Sequence, residues 1–157
     1  MKFGEVVVAV ASLAVVYVLI YSVLSIALVP MNSFWGLNVS FVVSVLVSGL
    51  IVGYVFAGKI REESRMASIG KIVVLFAFVI MFVGLIGFGA AGHSGALTDE
   101  NLQNMYDTSS WTNIDWVAYE TVAMVLNIAV NVLGVLALGF VGLYLGSMLK
   151  PSAKTKE

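Results

Sequence analysis

Four apolar runs dominate this chain, over about residues 4–29, 39–58, 72–91 and 116–149. Runs of about 18 or more apolar residues mark membrane-crossing helices, because that length of helix spans the hydrocarbon layer. A soluble alternative fails on area. The chain is 61% hydrophobic and 11% charged over 157 residues, and a soluble domain of that size leaves too much of its chain exposed to hide so much apolar surface. The expected fold is therefore all-α, an integral membrane four-helix bundle. One domain spans residues 1–150, and a disordered tail follows at 151–157.

The charges predict how the chain is threaded. Lys2 precedes the first run, Lys59, Arg61, Arg65 and Lys71 separate the second from the third, and Lys150, Lys154 and Lys156 follow the fourth. The other two connections, around 29–38 and 92–116, hold no basic residue. Basic loops stay in the cytoplasm, so both termini are expected inside a cell membrane crossed four times. Asp99, Glu100, Asp107, Asp115 and Glu120 fall on the opposite side. The first run is too long for the roughly 7–15 residues of a signal-peptide core, and is read as a retained span.

Composition also narrows the function classes. A net charge of −1 offers no basic footprint for nucleic acid. Without cysteine there are no disulfides, thiolate nucleophiles or thiolate metal sites. His93, in Gly92-His93-Ser94-Gly95, is the sole histidine, and with unspaced carboxylates it matches no zinc pattern. A single serine–histidine–aspartate inventory is not a triad. No catalytic residue, cofactor or metal site is expected. Asn38-Val39-Ser40 matches a glycosylation sequon but abuts the membrane. The linker 59–71 has four basic and two acidic residues, for which anchoring and topology suffice; a headgroup site would need a denser cluster.

Local signals set the boundaries. Pro30 ends the first span. Phe34 and Trp35 suit the headgroup level, as do Trp111, Trp116 and Tyr119 around the start of the fourth span. The linker Lys59–Arg65 is expected to prolong the second helix into water before Gly70. Between spans 3 and 4, Thr98-Asp99-Glu100-Asn101 reads as the start of a short amphipathic helix, with Leu102, Met105 and Tyr106 on its apolar side. Thr112-Asn113-Ile114-Asp115 fits a capping box opening the fourth span. From Trp116 to Leu149 that span would measure roughly 51 Å as a helix, against a hydrocarbon core of about 30 Å. It must tilt, kink near Gly134 or Gly139, or project from the membrane.

Two features carry the functional expectations. Glu120, Asn127 and Asn131 fall on one stripe of span 4, and the two asparagines lie well inside the apolar run. Hydrocarbon gives an amide no partner, so the stripe should face protein or water. It serves either as glue between helices or as a polar path. The second feature is a set of small-residue rows: Ser40, Ser44 and Ser48 on one side of span 2, with Gly49, Gly53 and Ala57 on the other. Ala77, Gly84, Gly87 and Ala91 follow on span 3, and Gly142 and Gly146 on span 4. Small residues let helix backbones approach closely.

The stretch Leu50-Ile51-Val52-Gly53-Tyr54-Val55-Phe56-Ala57-Gly58-Lys59-Ile60-Arg61-Glu62-Glu63, continued by Lys71-Ile72-Val73-Val74-Leu75, resembles uncharacterised archaeal four-span membrane proteins. The resemblance implies four membrane helices and brings no activity with it. The chain is thus expected to be a non-enzymatic structural or accessory subunit. Its partners would be the lipid bilayer and a second copy of itself or other membrane subunits. The alternative is a small channel or transporter using Glu120, Asn127 and Asn131.

Overall fold

The computed structural model describes residues 1–27, 39–60, 64–93 and 116–149. The expected amphipathic helix in the outer loop, the connection around 29–38 and the tail 151–157 lie outside them. The described chain is helical: α1 (Phe3–Ala27), α2 (Val39–Phe56), α3 (Arg65–His93), α4 (Trp116–Gly134), a π-helical segment (Val135–Gly139) and α5 (Phe140–Leu149). Four stretches, Phe3–Ala27, Val39–Phe56, Arg65–Gly87 and Thr121–Leu149, are long and apolar enough to cross a membrane. The protein is an all-α four-helix bundle of the multi-pass membrane type.

The segment between spans 2 and 3 departs from expectation. The second helix does not continue through the linker: it stops at Phe56, where the Lys59 and Ile60 N–H groups both donate to the Phe56 carbonyl, at 2.9 and 3.1 Å. Ile60 then folds inward and is 2% exposed, sealing the end of the core. The following helix starts at Arg65 rather than at 72 and runs straight through Gly70. A mid-helix glycine costs only about 1 kcal/mol relative to alanine, which a few added helical hydrogen bonds offset.

Around the bundle the spans follow the order α1, α2, span 4, α3. α2 packs against α1 on one side and α5 on the other, while α3 packs against α1 and along all three pieces of span 4. Half of α2's membrane window is buried, against 22% for α1, 28% for α3 and 11% for span 4, so α2 is the most enclosed helix. Direction follows from pairs of residues. Glu5 at the start of α1 meets Lys59 beyond the end of α2, so these two run antiparallel. Gly84 faces Ile128, and Gly139 faces Val73, so α3 and span 4 are antiparallel too. α2 and α5 run parallel, with Gly142 against Leu46 and Gly49, and Gly146 against Leu50.

The core sits towards the end of the bundle that carries Lys2 and Lys59. Its α1 members, Val6, Ala9, Val10 and Leu13, all come from the first half of that helix. Ile69, Ile72, Val73, Phe76 and Ala77 of α3 match them in level. Tyr17 closes this core: its ring lies 6.1 Å from Phe41 and 5.8 Å from Phe76, both edge-on, and stacks on Tyr21 at 5.6 Å. Such edge-to-face pairs are favoured by the ring quadrupole. Beyond Tyr17, Val18, Leu19, Val23 and Ile26 are exposed, as are Phe82, Val83 and Ile86 on α3. Lipid is the solvent that suits those side chains.

Candidate functional site

α2 and α5 meet through four glycines. Gly49-Leu50-Ile51-Val52-Gly53 on α2 lies parallel to Gly142-Leu143-Tyr144-Leu145-Gly146 on α5, and all four glycines are buried. A Cβ built on Gly49 would stand 3.1 Å from the Gly142 Cα, and one on Gly142 would stand 2.6 Å from the Leu46 carbonyl oxygen. Cβ atoms on Gly53 and Gly146 would collide with the backbone of Leu143 and Leu50. Backbone therefore meets backbone, the arrangement that small-xxx-small spacing permits in lipid.

The other small residues behave differently. Ser40, Ser44 and Ser48 are fully buried on the opposite flank of α2, where α1 is the neighbour. The Ser44 hydroxyl donates to the Ser40 carbonyl and the Ser48 hydroxyl to the Val45 carbonyl. These hydroxyls are spent on their own helix, so they present little polarity across the interface. A Cβ on Gly84 would meet only the flexible Ile128 side chain, from 3.0 Å. Gly87 has nothing within 4 Å among the described residues. Ala57 sits in the turn after α2 rather than on its helical face.

Of the polar stripe on span 4, the described side chains are Asn127 and Asn131. Asn131 donates from Nδ2 to Asn127 Oδ1 at 2.7 Å, one turn along α4. Asn131 is half-buried and Asn127 exposed. Glu120 belongs to α4, but its side chain is outside the described set. The π segment Val135–Gly139, flanked by Gly134 and Phe140 in ordinary right-handed helical geometry, separates this stripe from the glycine face of α5. Such a segment winds about 4.4 residues per turn, judged from its i→i+5 bonding. α5 is thereby turned relative to a continuous α-helix.

Depth can be read along α3. Ile128 stands beside Gly84, thirteen residues, or about 20 Å of helix, from Lys71 at the charged end. The asparagine pair thus lies at hydrocarbon depth in a layer about 30 Å thick. Each amide brings two N–H donors and an acceptor oxygen with two lone pairs, and among the described residues one mutual bond leaves most of that capacity open.

At the opposite end an ion pair joins α1 to the turn after α2. Glu5 Oε1 lies 3.4 Å from Lys59 Nζ, and Glu5 Oε2 accepts the Lys2 backbone N–H at 2.9 Å. Sequence reasoning did not pair these residues. The available signal was one acid in the first turn of span 1 and one base just past span 2, at the same membrane level. Among the described residues no three histidine or acidic side chains cluster as metal ligands would. Comparison with protein-family models, curated proteins and solved structures finds no match. What fold and site define is therefore a class: a four-span helical membrane protein with a glycine-locked α2–α5 pair and an open amide pair on span 4.

Proposed function

We propose that this protein is a structural or accessory membrane subunit that associates, through the outward face of α4, with a second copy of itself or with another membrane protein. The Asn127–Asn131 pair, with Asn127 exposed and Asn131 half-buried, carries this reading. An amide facing acyl chains forfeits hydrogen bonds that water or protein would supply. A helix laid across this face offers partners, each contact being worth about 0.6–2 kcal/mol. Neither α1 nor α2 occupies that position, since α4 packs chiefly on α3 and on the π segment that continues it. In this reading both termini are cytoplasmic, supported by the grouping of every lysine and arginine in the N-terminal, 59–71 and C-terminal segments.

Purification in mild detergent with mass determination tests the association. The expected species is a multiple of 16.7 kDa, and Asn127→Leu with Asn131→Leu shifts it to the monomer. A wild-type protein that runs as a monodisperse monomer, with no co-purifying partner, sinks the proposal. If proteoliposomes instead show cation uptake that the double variant abolishes, the stripe is a transport path. Orientation is tested separately, with cysteines introduced at Ser64 and Ser109 in the cysteine-free chain. An impermeant thiol reagent on intact cells should label position 109 alone; labelling at 64 reverses the topology.

A further inference from the structure

The charged end of the bundle contains an apolar groove that none of the foregoing uses. It has a volume of about 550 Å³, runs between the start of α1 and α3, and is lined by Phe3, Val6, Gly70, Lys71, Val74 and Phe78 among others. That volume falls within the roughly 300–1,000 Å³ of small-ligand pockets. Gly70 lines the groove where it is open: a Cβ there would meet nothing within 4 Å. Its walls are almost wholly apolar, and Lys71 lies at the Gly70 end, one helical turn from Val74.

A second cleft of about 500 Å³ adjoins it, with Met1 as a shared wall, and is lined by Lys2, Glu5, Gly58, Lys59 and Ser64. Among the described residues its only carboxylate is Glu5, already engaged by Lys59 and by the Lys2 backbone N–H. The side chains of Lys2 and Lys71 form no ion pair among the described residues. Folding therefore brings Lys71, at the edge of the apolar slot, and Lys2, in the adjoining cleft, to the same end of the bundle, a juxtaposition absent from the linear charge pattern.

We propose that this groove binds an anionic phospholipid, one acyl chain lying along Val6, Val74 and Phe78 and the phosphate meeting Lys71 and Lys2. Charge complementarity selects this occupant over a zwitterionic lipid or a second helix. A basic pocket between transmembrane helices is how anionic headgroups are held, at about 1 kcal/mol per lysine near the surface. A helix in the slot would bury Lys71 without a counter-charge. The inference is independent of how α4 associates, because the groove lies between α1 and α3.

The test is lipid retention by the full-length protein released from nanodiscs of equal palmitoyl-oleoyl phosphatidylglycerol and phosphatidylcholine, read by native mass spectrometry. The wild type should retain phosphatidylglycerol preferentially. Lys71→Gln should lower that preference about fivefold, as loss of one lysine contact predicts. Gly70→Leu, which fills the slot while leaving every charge in place, should abolish retention of the bound lipid. Lys150→Gln, the same charge change elsewhere in the chain, should leave both unchanged. Equal retention of the two lipids by the wild type overturns the proposal, and so does a preference that survives both Lys71→Gln and Gly70→Leu. Complete displacement of the lipid by millimolar glycerol phosphate also overturns it, since the site would then recognise a free phosphate.

Discussion

At the scale of single residues, glycine separates into positions that a neighbour requires empty and positions that none does. Gly53 and Gly146 face backbone that cannot swing aside. Adding one methyl group must therefore push α2 and α5 apart. Gly53→Ala and Gly146→Ala are expected to destabilise the bundle by about 1–3 kcal/mol each, the usual penalty of overpacking. Gly87→Ala, with open space around it, should be neutral or slightly stabilising through helix propensity. Thermal unfolding in detergent compares the three; equal losses at Gly87 and Gly146 would refute the glycine lock. The sequence lists both residues in similar small-residue rows. Nothing local to position 87 or 146 reveals which one meets another backbone, because that depends on a helix about a hundred residues away in the chain.

Among the elements, span 4 is the one with an interruption. The length from Trp116 to Leu149 allowed a tilt, a kink near Gly134 or Gly139, or a projection from the membrane, and the π segment falls between these two glycines. A π segment of five residues covers nearly the same angle as four α-helical ones, about 400°. Ala137 is exposed within it. Deleting Ala137 should restore a continuous α-helix while leaving the asparagine pair and the glycine face where they are. The unfolding midpoint in detergent is then expected to stay within a few degrees of the parent, consistent with a change below about 1 kcal/mol. A fall as large as that of Gly146→Ala would mean the π segment itself is required. The third span behaves in a related way: hydropathy stops at Ile72, yet the helix extends through its charged start, Arg65 to Lys71, because helical hydrogen bonding continues into water.

For the whole molecule, the order of the spans decides which faces meet. Cysteines at Gly84 and Ile128, whose side-chain positions adjoin, should cross-link within one chain on mild oxidation. Cysteines at Ile51 on α2 and Val74 on α3, both exposed and on helices across the diagonal, should not. Cross-linking of the second pair but not the first would replace this arrangement by a ring in which α2 neighbours α3 and span 4 lies across from α3.

The number of spans, their approximate limits and the polar stripe of span 4 follow from the chain alone, because hydropathy is a sum over neighbouring residues and needs no partner. The placement of Glu5 beside Lys59, the opening at Gly70 next to Lys71, and the parallel meeting of Gly49 and Gly53 with Gly142 and Gly146 belong to the tertiary structure. In lipid a helix is apolar on every side, so its periodicity does not mark the face that turns inward. That choice is made by shape, where two backbones can approach within van der Waals distance. Shape is a property of two segments together, and no single segment encodes it.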